Sequence, residues 1–251
     1  MTAVRWQDLP DDIRNFISRR VDGLISAEPV NAGSAEITLI LTTESTGRFF
    51  LKGARGEKAG IEVKVQSYLP GIAPQLRWHA NVGEYLLMAF EYIEGRSAIL
   101  SPGSDDLPAI ASAISDLSQT ACLELPVLPA EKRWAHLADD PAALAAISGD
   151  SLVHTDLTAD NFIVGEQLRI VDWAWPTKGA AWLDAASMIV RLMQAGHSPR
   201  QAEEWARTIP TFRKASDKEL AIYAKIRASL ARGSGVALAT TWENYLAWLG
   251  T

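Results

Sequence analysis

Polar residues between positions 154 and 172 have the types and the spacing that chemistry on a phosphate needs. The stretch begins at His154, continues with Asp156 and reaches Asn161 five residues later, and Asp172 follows two short apolar runs. An Asn oxygen and a carboxylate are hard ligands that suit Mg²⁺, which in turn binds phosphate oxygens. A second carboxylate without a metal to hold can accept the proton of an attacking hydroxyl. These residues therefore predict a site that combines a divalent cation with a general base.

A short hairpin would bring these residues together. The β-like runs at 162–164 and 168–171 lie between Asn161 and Asp172, so the loop ahead of the first run and the end of the second would meet at one point. Turn-forming polar residues with no further role are the plain alternative. Chance should produce the whole pattern in fewer than about one in a hundred such sequences, because the chain has few His and Asn residues. The spacing therefore favours a functional site.

Upstream of this stretch the sequence predicts a small sheet with one inserted helix. An amphipathic helix at 11–20 comes first. Four apolar or β-branched runs follow as strands, at 37–41, 48–52, 77–82 and 85–93. A second helix at 57–69 ends at Pro70-Gly71. Lys52 thus lies on a strand and Glu62 on the helix that follows. Glu57, in the turn before Glu62, is the alternative acidic partner for Lys52.

The second part of the chain changes in character after Glu94-Gly95. Segments rich in Ala, Leu and Ser at helical spacing cover 105–120 and 131–147, and helices resume at Trp182. The pattern predicts an α+β protein with two lobes, 1–92 and 93–251, and a ligand in the cleft between them.

Composition excludes several function classes. With 251 residues, 48% of them hydrophobic, the chain can bury a core without disulfides, and we expect Cys122 to be a buried structural thiol. A net charge of −6 argues against a nucleic-acid partner and mildly favours a cationic substrate. Residues 1–21 lack the apolar core of a signal peptide and no apolar run is long enough to span a bilayer, so we expect a cytoplasmic protein with no membrane partner.

The run His154-x-Asp156-x-x-x-x-Asn161, followed by Asp172-Trp173, resembles the catalytic loop and metal site of the aminoglycoside phosphotransferase family, whose relatives include choline and homoserine kinases. The resemblance implies a bilobal protein-kinase-like fold, with a small antiparallel sheet and one helix in the N-lobe and a mainly helical C-lobe that carries the catalytic loop. It also implies transfer of phosphate from ATP or GTP, with Mg²⁺, to an alcohol group of a small molecule. The candidate acceptor is an aminoglycoside or another antibiotic. The corresponding biological role would be antibiotic resistance.

The same resemblance implies roles for the polar stretch. Asp156 is the expected catalytic base, Asn161 and Asp172 are expected to hold Mg²⁺, and His154 is expected to support the loop. Asp184, in the run after Trp182, matches a later aspartate that anchors the loop backbone.

Nucleotide contacts are expected mainly from the first lobe. Lys52 would neutralise the α- and β-phosphates, paired with Glu62. The other expected contacts are a hydroxyl in the loop before the hairpin, apolar side chains against the base, and main-chain groups at the end of the last strand: Ser34, Phe50, Ile163, Val171, Ala89 and Glu91. Each apolar member of this set is equally credible as ordinary core, and the loop around Ser34 is equally credible as a plain turn.

One departure from the family pattern and several alternatives stay open. The family usually has Gly where this chain has Thr155, and the effect on the loop is an open question. A catalytically silent nucleotide-binding pseudokinase and a metal-dependent phosphohydrolase are the rival functions. The acceptor would bind the helical lobe, where acidic residues could receive an amine, although solvated helix faces explain them at least as well: Asp105, Asp106, Glu203 and Glu204. The protein would be a monomer or a homodimer.

Overall fold

The computed structural model describes residues 4–31, 35–56, 59–69, 71–122, 124–138, 140–233 and 235–250. The chain divides into two compact units, Met1–Glu94 and Gly95–Thr251. The expected boundary between residues 92 and 93 lies close to this division. The nucleotide and substrate roles expected for the two parts stay predictions.

The first unit is built on an antiparallel sheet. Its described helices and strands are α1 (Asp11–Arg20), β1 (Leu24–Pro29), β2 (Ile37–Thr43), β3 (Gly47–Arg55), α2 (Ala59–Val65), β4 (Leu76–Val82) and β5 (Tyr85–Glu91). The strand order is β1-β2-β3-β5-β4, and all neighbours are antiparallel. The predicted hairpin and the two later strands are confirmed, and β1 is an additional strand that the sequence pattern did not indicate.

Helix α1 covers one face of this sheet. Ile13 and Ile17 are one turn apart on the helix, and both are buried in one cluster with Leu39 and Leu41 of β2 and with other apolar residues of the sheet. Residues two apart on a strand share a face, so this spacing in helix and strand gives a common core. Acidic residues in the first turn and basic residues in the last turn of α1 also complement the helix dipole.

The second unit is mainly helical. Its described elements are β6 (Arg96–Ser97), α3 (Leu107–Ser118), α4 (Ala130–Arg133), β7 (Ser151–Val153), β8 (Phe162–Val164), β9 (Leu168–Ile170), β10 (Thr177–Gly179), α5 (Leu183–Gln194), α6 (Pro199–Ala206), α7 (Asp217–Arg232) and α8 (Val236–Trp248). The short strands form two small sheets, β6-β8-β9 and β10-β7. The hairpin predicted between residues 162 and 171 is confirmed as β8 and β9.

The helix predicted at 131–147 was wrong as one element. The segment contains α4 and two 3₁₀ turns, Ala135–Leu137 and Pro141–Ile147. Pro141 has no N–H to continue a helix and disfavours a helical residue before it. Asp140 instead accepts a hydrogen bond from the N–H of Ala142 and starts a new turn.

Aromatic rings fill the centre of the second unit. The ring of Tyr223 on α7 lies 5.6–5.8 Å from those of Trp134, Trp182 and Trp242, and α5 is buried along most of its length. Cys122 is fully buried and unpaired, as expected. Within the described ranges no helix has both the length and the apolar character that crossing a bilayer requires.

Candidate active site

The loop between β7 and β8 carries the predicted catalytic residues. Strands β8 and β9 pair in register from Phe162 opposite Ile170 to Val164 opposite Leu168. One step beyond this pairing, the N–H of Val171 donates to the carbonyl oxygen of Asn161 at 2.9 Å. The hairpin therefore places Asn161 beside Val171, the residue that follows β9 and precedes Asp172.

His154 joins the loop to the end of the hairpin. Its Nδ1 accepts a hydrogen bond from the N–H of Asp156 at 3.3 Å, and its Nε2 lies 3.0 Å from the carbonyl oxygen of Val171. A carbonyl can only accept, so the ring is assigned as the tautomer with its proton on Nε2. The ring packs edge-on against Trp173, with centroids 4.6 Å apart. His154 therefore contacts both the loop and the end of the hairpin, and its supporting role in catalysis stays a prediction.

Asp184 binds the backbone of the catalytic loop through two hydrogen bonds. This buried carboxylate on α5 accepts the N–H of His154 at 2.7 Å and the N–H of Thr155 at 3.0 Å. Burial raises the pKa of Asp184 above its ordinary value, and favourable contacts, including these two hydrogen bonds, oppose the shift only in part. The carboxylate thereby satisfies two buried backbone donors that would otherwise lack an acceptor, which is the contact that the resemblance implies for Asp184.

Thr155 explains why glycine is common at its place in the loop. Its φ is +73°, a left-handed conformation that is unfavourable for a β-branched residue. Three bonds hold it there: its N–H donates to Asp184, its Oγ1 donates to the carbonyl of Trp175 at 2.9 Å, and its carbonyl accepts from Nη1 of Arg227 at 3.0 Å. The loop geometry is thus kept with threonine in place of glycine.

Thr155→Gly is expected to change the free energy of unfolding by less than about 1 kcal/mol. Relief of about 1–2 kcal/mol of backbone strain is offset by loss of the hydroxyl bond, about 1 kcal/mol, and by the greater freedom of glycine in the unfolded chain, about 0.5–1 kcal/mol. Thr155→Val keeps the strain and loses the hydroxyl, so it should be about 1 kcal/mol less stable than the wild type. Urea unfolding of both variants checks this, and a loss of more than about 3 kcal/mol in the glycine variant would contradict it.

Asp156 is the carboxylate of the loop that faces solvent. Its side chain is 53% exposed, and its Oδ1 lies 3.4 Å from Nη2 of Arg191 on α5. Asn161 donates from Nδ2 to the main-chain oxygen of Asp156 at 2.8 Å. This bond orients the amide of Asn161 and leaves the Oδ1 oxygen for another partner.

The donor set fits a magnesium ion that a nucleotide brings with it. Asn161 and Asp172 offer an amide oxygen and a carboxylate, and Mg²⁺ in phosphate sites takes one or two protein ligands and fills the rest with phosphate and water. Within the described ranges, no three His, Cys, Asp or Glu side chains are close enough to form a complete metal site. Asp172 has a φ of +64°, so the chain turns sharply at this residue.

The first unit contains the predicted lysine and its partner. Lys52 on β3 and Glu62 on α2 are both buried, with Nζ 2.8 Å from Oε1. Removing either partner would leave the other as an uncompensated buried charge, so each residue depends on the other in this core. Glu57, the rival partner, and Ser34 lie outside the described residues.

The last strand corrects one expected nucleotide contact. Ala89 lies in the middle of β5, opposite Leu51 on one side and Trp78 on the other. Its main-chain groups face paired strands and are not available to a base. The N–H of Glu91 donates to the carbonyl of Gln75 at 2.8 Å. Strand β5 ends at Glu91, and the nucleotide contact expected there stays a prediction.

The apolar residues expected against the base are half-buried in both units. Phe50 lies on β3, Ile163 on β8, and Val171 directly after β9. Partial exposure leaves each side chain free to contact a ligand, and their nucleotide role stays a prediction.

Sequence reasoning missed a cleft beside Asp156. A cleft of about 640 Å³ in the second unit is lined by three arginines, one carboxylate, one histidine, one threonine and apolar side chains, among them Arg133, Arg191, Arg227, Asp156, His136 and Trp175. One signal was available, because Arg191 lies seven residues after Asp184 and so on the same face of α5. Another was Arg227, a cation on the otherwise apolar stripe of α7.

Comparisons with known proteins bear on the family and the fold. The phosphotransferase enzyme family (APH) has a family model that matches residues 56–217, whereas no curated protein matches the chain in sequence. Among solved structures, the choline kinase LicA from Streptococcus pneumoniae is 16% identical with a TM-score of 0.66, covering 95% of this chain and 97% of that one. An aminoglycoside phosphotransferase from Alicyclobacillus acidocaldarius is 13% identical with a TM-score of 0.61, covering 92% and 93%.

A third solved structure carries ligands. The aminoglycoside phosphotransferase APH(3'')-Id from Streptomyces rimosus, in complex with ADP and streptomycin, is 14% identical with a TM-score of 0.59, covering 92% of this chain and 99% of that one. At these identities the likeness shows the fold, and it confirms the predicted kinase-like α+β class. Because the family model matches more than half of its length, this chain belongs to the phosphotransferase enzyme family.

Proposed function

We propose that the protein is a small-molecule kinase that transfers the γ-phosphoryl group of ATP or GTP to a hydroxyl. The observation that carries this proposal is the position of His154, whose two ring nitrogens contact the N–H of Asp156 and the carbonyl of Val171, next to Asp172. One imidazole therefore sets the distance between the expected base and the expected metal ligand. A phosphotransfer site needs these two groups in a constant relation.

The reaction balances with the residues in hand. The acceptor oxygen forms a bond to the γ-phosphorus, the bond from that phosphorus to the bridging oxygen breaks, and a nucleoside diphosphate leaves. The acceptor proton moves to a carboxylate oxygen of Asp156, which is exposed beside the cleft. Nη2 of Arg191 lies 3.4 Å from Oδ1 of Asp156 and helps to orient this carboxylate.

The remaining expected roles concern the nucleotide. Asn161 and Asp172 would hold Mg²⁺, which neutralises charge on the phosphate oxygens when it is bound. Lys52, held by Glu62, would contact the phosphates, and main-chain groups at 91–93 would contact the base. Because the reaction consumes a nucleoside triphosphate, we propose the cytoplasm as its compartment.

A nucleotide-binding regulator without catalysis is the second candidate. It would keep the Lys52–Glu62 pair and the hairpin, but it would not need an exposed carboxylate beside a cleft. Asp156 and its contact with Arg191 favour the enzyme.

Calorimetry and a turnover assay test the proposal together. We expect ATP or GTP to bind with Mg²⁺ present, weak binding of Mg²⁺ alone, and release of nucleoside diphosphate that depends on an added acceptor. A panel of aminoglycosides, other antibiotics, amino alcohols and hydroxy acids is then screened by mass spectrometry for a gain of one phosphoryl group. Nucleotide binding with no turnover on any acceptor would favour the regulator. Tight metal binding without nucleotide would favour a phosphohydrolase.

A further inference from the structure

The cleft beside Asp156 is lined by more positive than negative side chains, although the whole protein has a net charge of −6. Arg133, Arg191 and Arg227 line it, and Asp156 is the one carboxylate among the lining residues. Resting on the proposed function, we infer that the phosphoryl acceptor carries an anionic oxygen group, a carboxylate or a phosphate, that binds Arg133 and Arg227 while its hydroxyl meets Asp156. The inference names the acceptor class of that same site.

Only one of the three arginines has a carboxylate partner among the described residues. Arg191 pairs with Asp156 at 3.4 Å. In the ranges that the structure describes, neither Arg133 nor Arg227 forms an ion pair with a carboxylate. These two cations contact oxygen acceptors and aromatic rings, such as Trp175 at Arg133 and Trp242 at Arg227. Both remain able to bind an anion in this partly enclosed space.

Each of these two guanidinium groups is held at one nitrogen. Nη1 of Arg133 donates to the carbonyl of Trp175 at 2.8 Å and also to Oγ1 of Thr177. Nη1 of Arg227 donates to the carbonyl of Thr155 at 3.0 Å and to the hydroxyl of Tyr223 at 3.1 Å. The bonds fix the position of both groups.

The N–H groups on the other guanidinium nitrogens are not used in hydrogen bonds to described residues. Nε and Nη2 of Arg133 and Arg227 make no hydrogen bond within the described part of the chain. A fixed guanidinium with two free donors matches the two oxygens of a carboxylate or the several oxygens of a phosphate. The arrangement is therefore prepared for an anion before the ligand arrives.

Electrostatics supports this assignment. Burial first, and then the positive charge of Arg227, lower the pKa of Arg133. Burial likewise lowers the pKa of Arg191, against the opposing effect of Asp156. An anion in the cleft would relieve the repulsion between neighbouring cations.

The remaining lining describes the body of the acceptor. Trp175 is 43% exposed and its ring centre lies 5.7 Å from the guanidinium carbon of Arg133. Leu230 and Leu238 also line the cleft. An apolar or planar group between the hydroxyl and the anion would pack on these side chains.

Acidic residues that might have received an amine lie elsewhere. Asp106 is bound by both terminal nitrogens of Arg96, at 2.7 and 2.9 Å. Glu203 accepts from Arg207 and from Trp248, and neither acid lines the cleft. The cationic acceptor expected from the net charge would meet arginines instead of carboxylates.

The test uses hydroxyl compounds that share one skeleton and differ in charge. The probes are para-hydroxymethylbenzoate, its neutral amide, the corresponding benzylamine, and para-hydroxymethylphenyl phosphate. Binding to the full chain is measured by calorimetry without nucleotide, and turnover is measured separately with ATP and Mg²⁺. The variants are Arg133→Gln and Arg227→Gln, and Arg213→Gln is the matched control because it is exposed and outside the cleft.

We expect the benzoate or the phosphate to bind at least about tenfold more tightly than the amide, the gain of a charge-assisted pair. The difference between these two anions tells which group the site takes. Arg133→Gln should remove most of the preference and Arg213→Gln should leave it unchanged. Because Arg227 also supports the loop, Arg133→Gln alone decides the question if the Arg227 variant does not fold.

Two results would overturn the inference: tighter binding of the amine or the amide than of either anion, or an anion preference that Arg133→Gln leaves intact. Phosphorylation of the amine with no anion preference would overturn it while the proposed kinase stands. Anion binding that depends on Arg133, with no phosphate transfer to any acceptor, would support the anion site and count against the kinase.

Discussion

Asp156→Asn is expected to lower kcat for phosphoryl transfer by about a hundredfold to ten-thousandfold, the range that a positioned general base contributes. The amide keeps the shape of the side chain but cannot take the acceptor proton. Affinity for the nucleotide should stay within about a factor of two, because the contact is made to the acceptor and not to the phosphates. Single-turnover kinetics with saturating ATP and Mg²⁺, together with calorimetry, separate the two quantities.

Asp160→Asn is the matched control for this experiment. Asp160 is exposed in the same loop, and it has no part in the proposed chemistry. It should retain wild-type kcat. If both variants keep full activity, Asp156 is not the base and the proposed mechanism fails.

Lys52→Met is expected to lower both activity and stability. The variant lacks the ammonium group that is expected to neutralise the phosphates of the nucleotide. Its loss should reduce kcat/KM by about a hundredfold or more. Glu62 would then be a buried charge whose partner lysine is gone, so the free energy of unfolding should fall by about 3–5 kcal/mol. Activity assays and urea unfolding measure the two effects.

A double variant separates those two effects. Lys52→Met with Glu62→Gln removes both charges and should recover most of the lost stability, whereas activity should stay low. Lys64→Met, an exposed lysine on α2, is the control for loss of one positive charge. Full activity in the stable double variant would show that Lys52 has no role in transfer.

The sequence predicted the parts of the site that depend on local order. His154, Asp156 and Asn161 share one loop, and the hairpin after them has regular apolar runs, so spacing alone indicates that they belong together. Arg133 and Arg227 come from helices about ninety residues apart in the chain. Only tertiary packing brings them to one cleft, and neither lies in a motif.

Several elements escaped prediction for identifiable reasons. Strand β1 ends at Pro29 and contains only half-buried and exposed residues without regular alternation, so its pattern carries little signal. Strands β7 and β10 have three residues each, too few for periodicity to show. The expected contact at Ala89 failed because sequence does not tell whether β5 is an edge strand or a central one, and only the latter hides its main-chain groups.

The bond from Arg227 to the carbonyl of Thr155 means that one guanidinium serves both the acceptor cleft and the strained loop. An engineer who wishes to change the acceptor cannot treat those tasks as independent at this position, because a substitution would also loosen a backbone that threonine holds against its own preference. Arg133 makes no hydrogen bond to the loop itself and reaches it only through the carbonyl of Trp175, which also accepts from Thr155. Changes of acceptor choice, in the laboratory or during divergence of related genes, should therefore begin at position 133 and reach position 227 only after a stabilising change elsewhere.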